Sequence, residues 1–265
     1  MVVDNPERRR RASYRVKRPS ERRSISRSAT RALDVLEQFG QLRRPLRAVE
    51  ISKLLELQPS TTDQLLKTMV DSAHLVFDVA TKSYLPSPRL GEFSAWLIEG
   101  YGGDAGLRRL LRSLDLVEGE VATLSTPNDL FMQILDLYGD GQGVQPERGL
   151  RAAIFGSAIG DAYLSTLADA DIRRLADRAR IPAQEVGAIL EEASRTRRAG
   201  FAEGPRQEGA SWAIAAPLPP QGLFPVAFVL GFAGPPGSTE TRQVEIRRQM
   251  REAIDRWVSA AASPE

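Results

Sequence analysis

Residues 57–73, LQPSTTDQLLKTMVDSA, carry two opposed patterns at helical spacing. Thr62, Leu65, Leu66, Met69, Val70 and Ala73 fall on one side, and Ser60, Thr61, Gln64, Lys67, Thr68 and Asp71 on the other. The first set predicts a core face and the second a free one. Ser60 is the expected N-cap: a short hydroxyl accepts from an orphan amide one turn on, and Pro59 discourages an earlier start. The free face is short and uncrowded, with hydrogen-bonding groups in its first turn and a single lysine, the make-up of a helix that enters a major groove. Taken alone, the stretch is better read as a core helix with a solvated face.

The neighbouring patterns change that balance. Residues 28–39 predict an amphipathic helix with Ala29, Ala32, Leu33 and Leu36 inward, and residues 48–55 a second with Ala48, Ile51 and Leu55 inward. Only Glu56, Leu57, Gln58 and Pro59 separate the second helix from the third, which is the helix-turn-helix arrangement. Residues 75–79 and 82–85 then predict a small hairpin around Ala80 and Thr81, a wing. A helix over residues 89–98 and a hinge at Gly100, Gly102 and Gly103 lead to a further helix at 107–117.

Past the hinge, runs at 120–125 and 130–137 predict a hairpin, followed by a loop with Gly139, Gly141 and Gly143, a strand at 150–155 and a helix from Ser157 to Leu167. Helices at 170–178 and 183–198, strands at 200–203, 212–218 and 224–232 with a turn at 219–222, and a last helix carrying Val244, Met250, Ile254, Trp257 and Val258 complete the chain. Strands and helices thus mix around hairpins. The expected fold is α+β: a winged helix-turn-helix, a linker helix, and a C-terminal domain with a largely antiparallel sheet. The expected divisions are a basic tail over 1–25, a reader over 26–88, a linker and hinge over 89–105, and a second domain over 106–262.

Composition narrows the chemistry. With 265 residues the chain can bury two modest cores. It has no cysteine, which excludes disulfides, thiolate metal sites and cysteine nucleophiles. No apolar run reaches the roughly 18 residues of a membrane span, and the opening MVVDNPERRRRAS lacks the apolar core of a secretory signal, so a cytoplasmic protein is expected, with no membrane partner. The net charge of +2 hides an asymmetry: residues 1–27 hold ten Lys/Arg against three acids, residues 28–90 eight against seven, leaving the rest at −6. A basic arm, a near-neutral reader and an acidic body suit a protein that holds phosphate at one end, although a basic tail with no nucleic-acid role has the same composition.

No catalytic or metal-binding constellation emerges. Gly156-Ser157-Ala158-Ile159-Gly160 places serine second, where a nucleophile elbow needs it third. His74, the sole histidine, lies in the other domain and is expected to be a partly buried packing residue. The glycine loop lacks the Gly-Lys-Ser/Thr of a phosphate cradle. No cofactor is expected.

The runs SRSATRALDVLEQF, PLRAVEISKLLELQPSTTDQLLKTMVDSAHLVFD and KSYLPSPRLGE resemble the winged-helix domain of the IclR family of bacterial transcription regulators. AIFGSAIGDAYLSTL, RTRRAGFAEG, SWAIAAPLPPQG and PVAFVLGFAGP resemble successive blocks of that family's ligand domain, which is of the GAF-like sensory type. The resemblance implies double-stranded operator DNA and a small organic effector as partners, and self-association through the linker helix, with Trp96 near the dimer contact. Assembly to a tetramer is common in that family. The expected DNA contacts are Arg27, Arg47, Ser60, Thr61, Gln64, Lys67 and Lys82, and the expected effector contacts are Met132, Phe155, Ser157, Asp161, Tyr163, Ser211 and Trp212.

Three departures bear on function. Gln64 stands where the family commonly has arginine, with Asp63 beside it, and Arg47 stands where a Ser or Thr cap is usual. Gln64 can pair in bidentate fashion with an adenine edge, and Arg47 is released to reach phosphate. Asp161 replaces the family's common lysine after Gly160, so a positive charge is lost, which weakens the case for a carboxylate effector and leaves room for a neutral or cationic one. The same departures leave a second reading open, an IclR-like ligand- or protein-binding module whose reader no longer recognises a specific operator.

Overall fold

A computed structural model describes residues 26–100, 106–140, 149–204, 212–220 and 227–262, giving only the backbone for 96–100, 261 and 262. The basic tail, most of the hinge, Gly141, Gly143, Ser211, part of the turn at 219–222 and the side chain of Trp96 therefore lie outside the described residues. The chain divides into two compact units, with the boundary between Glu99 and Gly100. No helix among the described residues is long and apolar enough to cross a membrane.

In the N-terminal unit, α1 (Arg27–Leu42) starts at Ser26, whose hydroxyl accepts from the Ala29 amide, and ends where Arg43 turns left-handed. α2 (Ala48–Leu54) and α3 (Pro59–Asp71) follow, then the antiparallel hairpin of β1 (Leu75–Asp78) and β2 (Ser83–Pro86), and α4 (Arg89–Gly100). Val35, Phe39, Leu46, Ile51, Leu66, Met69, Leu75 and Tyr84 form one core. The turn between α2 and α3 is fixed by exchange: Ser52 Oγ donates to the Leu57 carbonyl (2.8 Å) and the Leu57 amide donates back to the Ser52 carbonyl (2.9 Å). Leu46 and Tyr84 also exchange backbone bonds, which ties the start of α2 to the wing. Ile51 is fully buried in this core, so Ile51→Val is expected to cost about 0.5–1.5 kcal/mol. A urea titration reads this as a lower midpoint at unchanged slope.

Several expectations for this unit need correction. Helix α1 carries more apolar surface than the core accepts: Val35 and Phe39 are buried, Ala32 and Leu36 half-buried, whereas Ala29 is exposed and Leu33 is 62% exposed. Ser60 is not the cap of α3. Pro59 is the first helical residue and Gln58 the N-cap, because proline's fixed φ suits a helix start and its missing N–H is an orphan there in any case. The core face of α3 holds Thr62, Leu66 and Met69 as expected, with the buried Thr62 hydroxyl donating to the Gln58 carbonyl (3.2 Å). Ala73 is exposed, because the chain leaves the helix after Asp71 and Ala73 turns left-handed. His74 is also exposed rather than packed, with Nδ1 at 3.0 Å from Ser72 Oγ.

The C-terminal unit is built on a six-stranded sheet in the order β5-β4-β3-β8-β7-β6, every neighbouring pair antiparallel. Its strands are β3 (Val121–Asn128), β4 (Phe131–Gly139), β5 (Arg151–Ala153), β6 (Ala202–Gly204), β7 (Ala213–Pro217) and β8 (Val229–Ala233). Its helices are α5 (Gly106–Arg112), α6 (Ala158–Leu164), α7 (Asp169–Arg178), α8 (Ala183–Ala199) and α9 (Glu240–Ala262).

Alternation along the strands makes two cores. Ala122, Leu124, Ile214, Ala216, Leu230 and Phe232 pack with Leu110 and Leu111 of α5 and with Ile246, Met250 and Trp257 of α9. The intervening Ala215 and Val229 pack with Met132, with Ala158 and Ala162 of α6, with Ile172 of α7 and with Ala193 of α8. Helix α5 stops at Arg112, short of the expected 117, as both the amide and the hydroxyl of Ser113 turn back on the Leu110 carbonyl. Val244, expected on the inner face of α9, is 54% exposed; the stripe through Ile246, Met250, Ala253 and Trp257 leaves it off the face.

Candidate nucleic-acid interface

Helix α3 presents Gln64, Lys67, Thr68 and Asp71 to solvent along with Ser60, while Thr61 is half-exposed. Ser60, Thr61 and Gln64 have no side-chain hydrogen bond to a described residue. Thr68 is committed, its hydroxyl donating to the Gln64 carbonyl (2.9 Å). Lys67 is committed as well: its ammonium lies 2.8 Å from Asp63 Oδ2, one turn earlier. That contact holds the lysine above its ordinary pKa. Apart from Asp71 at its end, the uncommitted groups of this face are therefore neutral donors and acceptors concentrated in the first two turns, the part of a recognition helix that meets base edges.

Exposed cationic groups stand on the other elements of this unit. Arg27 opens α1 and Arg47 occupies the N-cap position of α2, both exposed. The Arg47 amide donates to Glu50 Oε2 (2.8 Å), and Glu50 also takes Arg44 (2.8 Å). Those two donors hold the Glu50 carboxyl below the usual range, the Arg44 bond contributing most. Arginine has no acceptor to cap the helix, so the Arg47 guanidinium stays uncommitted. The bridge between Leu46 and Tyr84 sets the start of α2 beside β2, the strand that follows exposed Lys82. At the wing tip the Asp78 carboxylate accepts from Thr81 Oγ1 (2.6 Å) and the Ala80 amide (2.9 Å), which lowers its pKa and leaves Lys82 in a left-handed turn.

A groove of about 620 Å³ runs between α1 and α3, walled by Ala29, Ala32, Leu33 and Leu36 on one side and by Gln64 and Leu65 on the other. The sequence reading missed it by assigning Ala29 and Leu33 to the core. It missed the Asp63–Lys67 pair too, although the i, i+4 spacing of opposite charges was a visible signal.

The expected effector contacts do not close on one site. Ser157 caps α6, accepting from the Gly160 amide (3.1 Å) and donating to the Ala153 carbonyl (2.6 Å), so its proton is already used. Met132 is fully buried, with Phe155 and Tyr163 packed against the same core, and burial pushes the Tyr163 hydroxyl up. Asp161 is half-buried in the first turn of α6. Ser125, buried on β3, has a hydroxyl with no hydrogen-bond partner among the described residues. Trp212 packs on the opposite face, 5.5 Å from the Phe232 ring and 5.8 Å from the Arg247 guanidinium. The sheet stands between it and the rest, because even and odd positions of β7 point to different cores. Among the described residues no group of three His, Asp or Glu side chains could hold a metal ion.

Three helices with a two-stranded wing, followed by a unit whose antiparallel sheet carries helices on both faces, define a winged helix-turn-helix protein with an appended α+β domain. Residues 28–73 match the family model of the IclR helix-turn-helix domain. The HTH-type transcriptional regulator BhcR of Paracoccus denitrificans is 28% identical over 152 residues, 56% of this chain and 54% of that protein; the chain thus spans about half the length of the curated relative it matches. An IclR transcriptional regulator from Silicibacter sp. TM1040 shares the fold with a TM-score of 0.53 at 21% identity, over 89% of this chain and 97% of that one. An IclR homologue from Microbacterium hydrocarbonoxydans, solved with 4-hydroxybenzoate, has a TM-score of 0.50 at 19% identity, over 88% and 99% of the two chains. Residues 28–73 thus carry an IclR-type helix-turn-helix, and the chain shares the fold of IclR-family structures.

Proposed function

We propose that this chain is a transcription regulator that reads duplex operator DNA with α3 and the wing and answers to a small organic effector held by its C-terminal unit. The observation that carries the reading is the exposed face of α3, on which Ser60, Thr61 and Gln64 remain uncommitted, in a unit that also exposes Arg27, Arg47 and Lys82. Gln64 pairs with an adenine edge, Ser60 and Thr61 serve as neutral partners, and Arg27, Arg47 and Lys82 hold phosphate. Residues 26–88 form the reader, 89–105 the linker and 106–262 the sensor.

The protein works as a dimer or a higher oligomer, in the cytoplasm, and it is a regulator and not an enzyme. Two recognition helices per dimer then meet a near-palindromic site. The effector binds on the α6 side of the sheet, near Ser157, Tyr163 and Met132. Asp161 favours a neutral or cationic molecule there, whereas the Microbacterium homologue takes an aromatic carboxylate. Coupling follows if the effector binds one arrangement of the dimer better than the other.

The test is Gln64→Ala in the full chain, titrated on the duplex upstream of its own gene. Loss of a bidentate base contact is expected to cost about 1–3 kcal/mol on that duplex, with little change on scrambled DNA. Equal affinity of wild type and variant on the upstream duplex refutes the reading role of Gln64. The Asp63–Lys67 pair supports a second reading, a module whose reader no longer recognises an operator, because it leaves α3 without a free cation. Under that reading even the wild type shows no preference for the upstream duplex.

A further inference from the structure

On the foundation of the DNA reading above, we infer that Asp63 is a positioning residue that keeps Lys67 off phosphate and so limits sequence-independent binding. Lys67 is the only basic residue of α3, whose acids are Asp63 and Asp71, so the helix that faces the bases carries no net positive charge. The Lys67 ammonium lies 2.8 Å from Asp63 Oδ2, with both side chains exposed on the free side of the helix. The order, acid before base by four residues, is the favoured one on a helix. An exposed pair of this kind is weak, but its net charge is zero whichever partner the ammonium holds.

Counterion release scales with the positive charge a protein brings to the duplex, and a neutral unit brings none. Sequence-independent attraction is thereby left to cations outside α3, among them Arg27, Arg47 and Lys82, which make no ion pair with another described residue. Gln64, the neighbour of Asp63, keeps its amide free for a base edge. Affinity for phosphate and discrimination among bases are assigned to different parts of the unit.

The experiment uses the full chain with Asp63→Asn and with Asp63→Asn/Lys67→Gln, titrated on scrambled duplex across a salt series. Asp63→Asn is expected to tighten binding at low salt and to steepen the slope of log K against log salt by about 0.9, one phosphate neutralised. The double variant is again neutral at this turn and is expected to return to the wild-type slope. An unchanged slope in Asp63→Asn overturns the inference. A double variant with a shallower slope than wild type also overturns it, since Lys67 would then have been on phosphate all along. Failure of the DNA reading itself looks different: the wild type then binds upstream and scrambled duplexes equally.

Discussion

Gly160→Ala is expected to disrupt the C-terminal unit. A Cβ at this position would stand 1.8 Å from the Ile154 carbonyl oxygen, 2.5 Å from its carbon and 2.8 Å from the Ile154 Cα. These are backbone atoms of a fully buried residue between β5 and α6, so no side chain can swing aside. Overpacking ordinarily costs about 1–3 kcal/mol, and a collision of two backbones belongs at or above the top of that range. The strand and helix must separate, which opens the core containing Met132, Ala162 and Val229. Gly187→Ala in α8 is the control: nothing lies within 4 Å of its Cβ, and removing a glycine from a helix interior is expected to stabilise by roughly 0.5–1 kcal/mol. Thermal unfolding followed by circular dichroism separates the two, with Gly160→Ala melting far below wild type and Gly187→Ala at or above it.

Glu120→Ala is the second large effect. The Glu120 side chain is 2% exposed and takes Arg242 through both oxygens, from Nε (2.9 Å) and from Nη2 (2.6 Å), as well as the Val117 amide (2.9 Å). Arg242 also donates to the Asp115 carbonyl (2.6 Å), so the first turn of α9 is clasped to the segment that leads into β3. The carboxylate holds the guanidinium above its ordinary pKa. Truncating one partner of a buried pair leaves the other charge uncompensated, at a cost of about 3–5 kcal/mol. Arg242 retains some solvent access, 20% of its side chain, which places the loss toward the lower end. Glu120→Gln keeps the shape and part of the hydrogen bonding, so its urea midpoint is expected between those of wild type and Glu120→Ala.

Periodicity made much of the reader legible because α3 carries sharply divided faces. Thr62, Leu66 and Met69 are inside and Gln64, Lys67 and Thr68 outside, as spacing alone predicts. Periodicity failed where a helix has more apolar surface than its core takes. Helix α1 offers two adjacent apolar stripes, and only the one with Val35 and Phe39 meets the core. Start and stop signals were ambiguous where two rules compete, as with Pro59 against Ser60 at the start of α3. Trp212 was misplaced for another reason. Its β-rich segment was recognised, but which face each alternate residue meets depends on the order of six strands, and sequence spacing does not contain that order. Met132, Phe155 and Tyr163 share the core that α6 joins, and Trp212 packs against the core that α9 joins.

The central claim is that α3 discriminates among base sequences. Its most direct test is a titration of the wild-type full chain on the duplex upstream of its own gene and on a scrambled duplex of the same composition, at about 50 and 200 mM salt. A preference for the upstream duplex of roughly 10³-fold or more is expected to survive the higher salt, while scrambled binding collapses. Equal affinity on the two duplexes at both salts would contradict it.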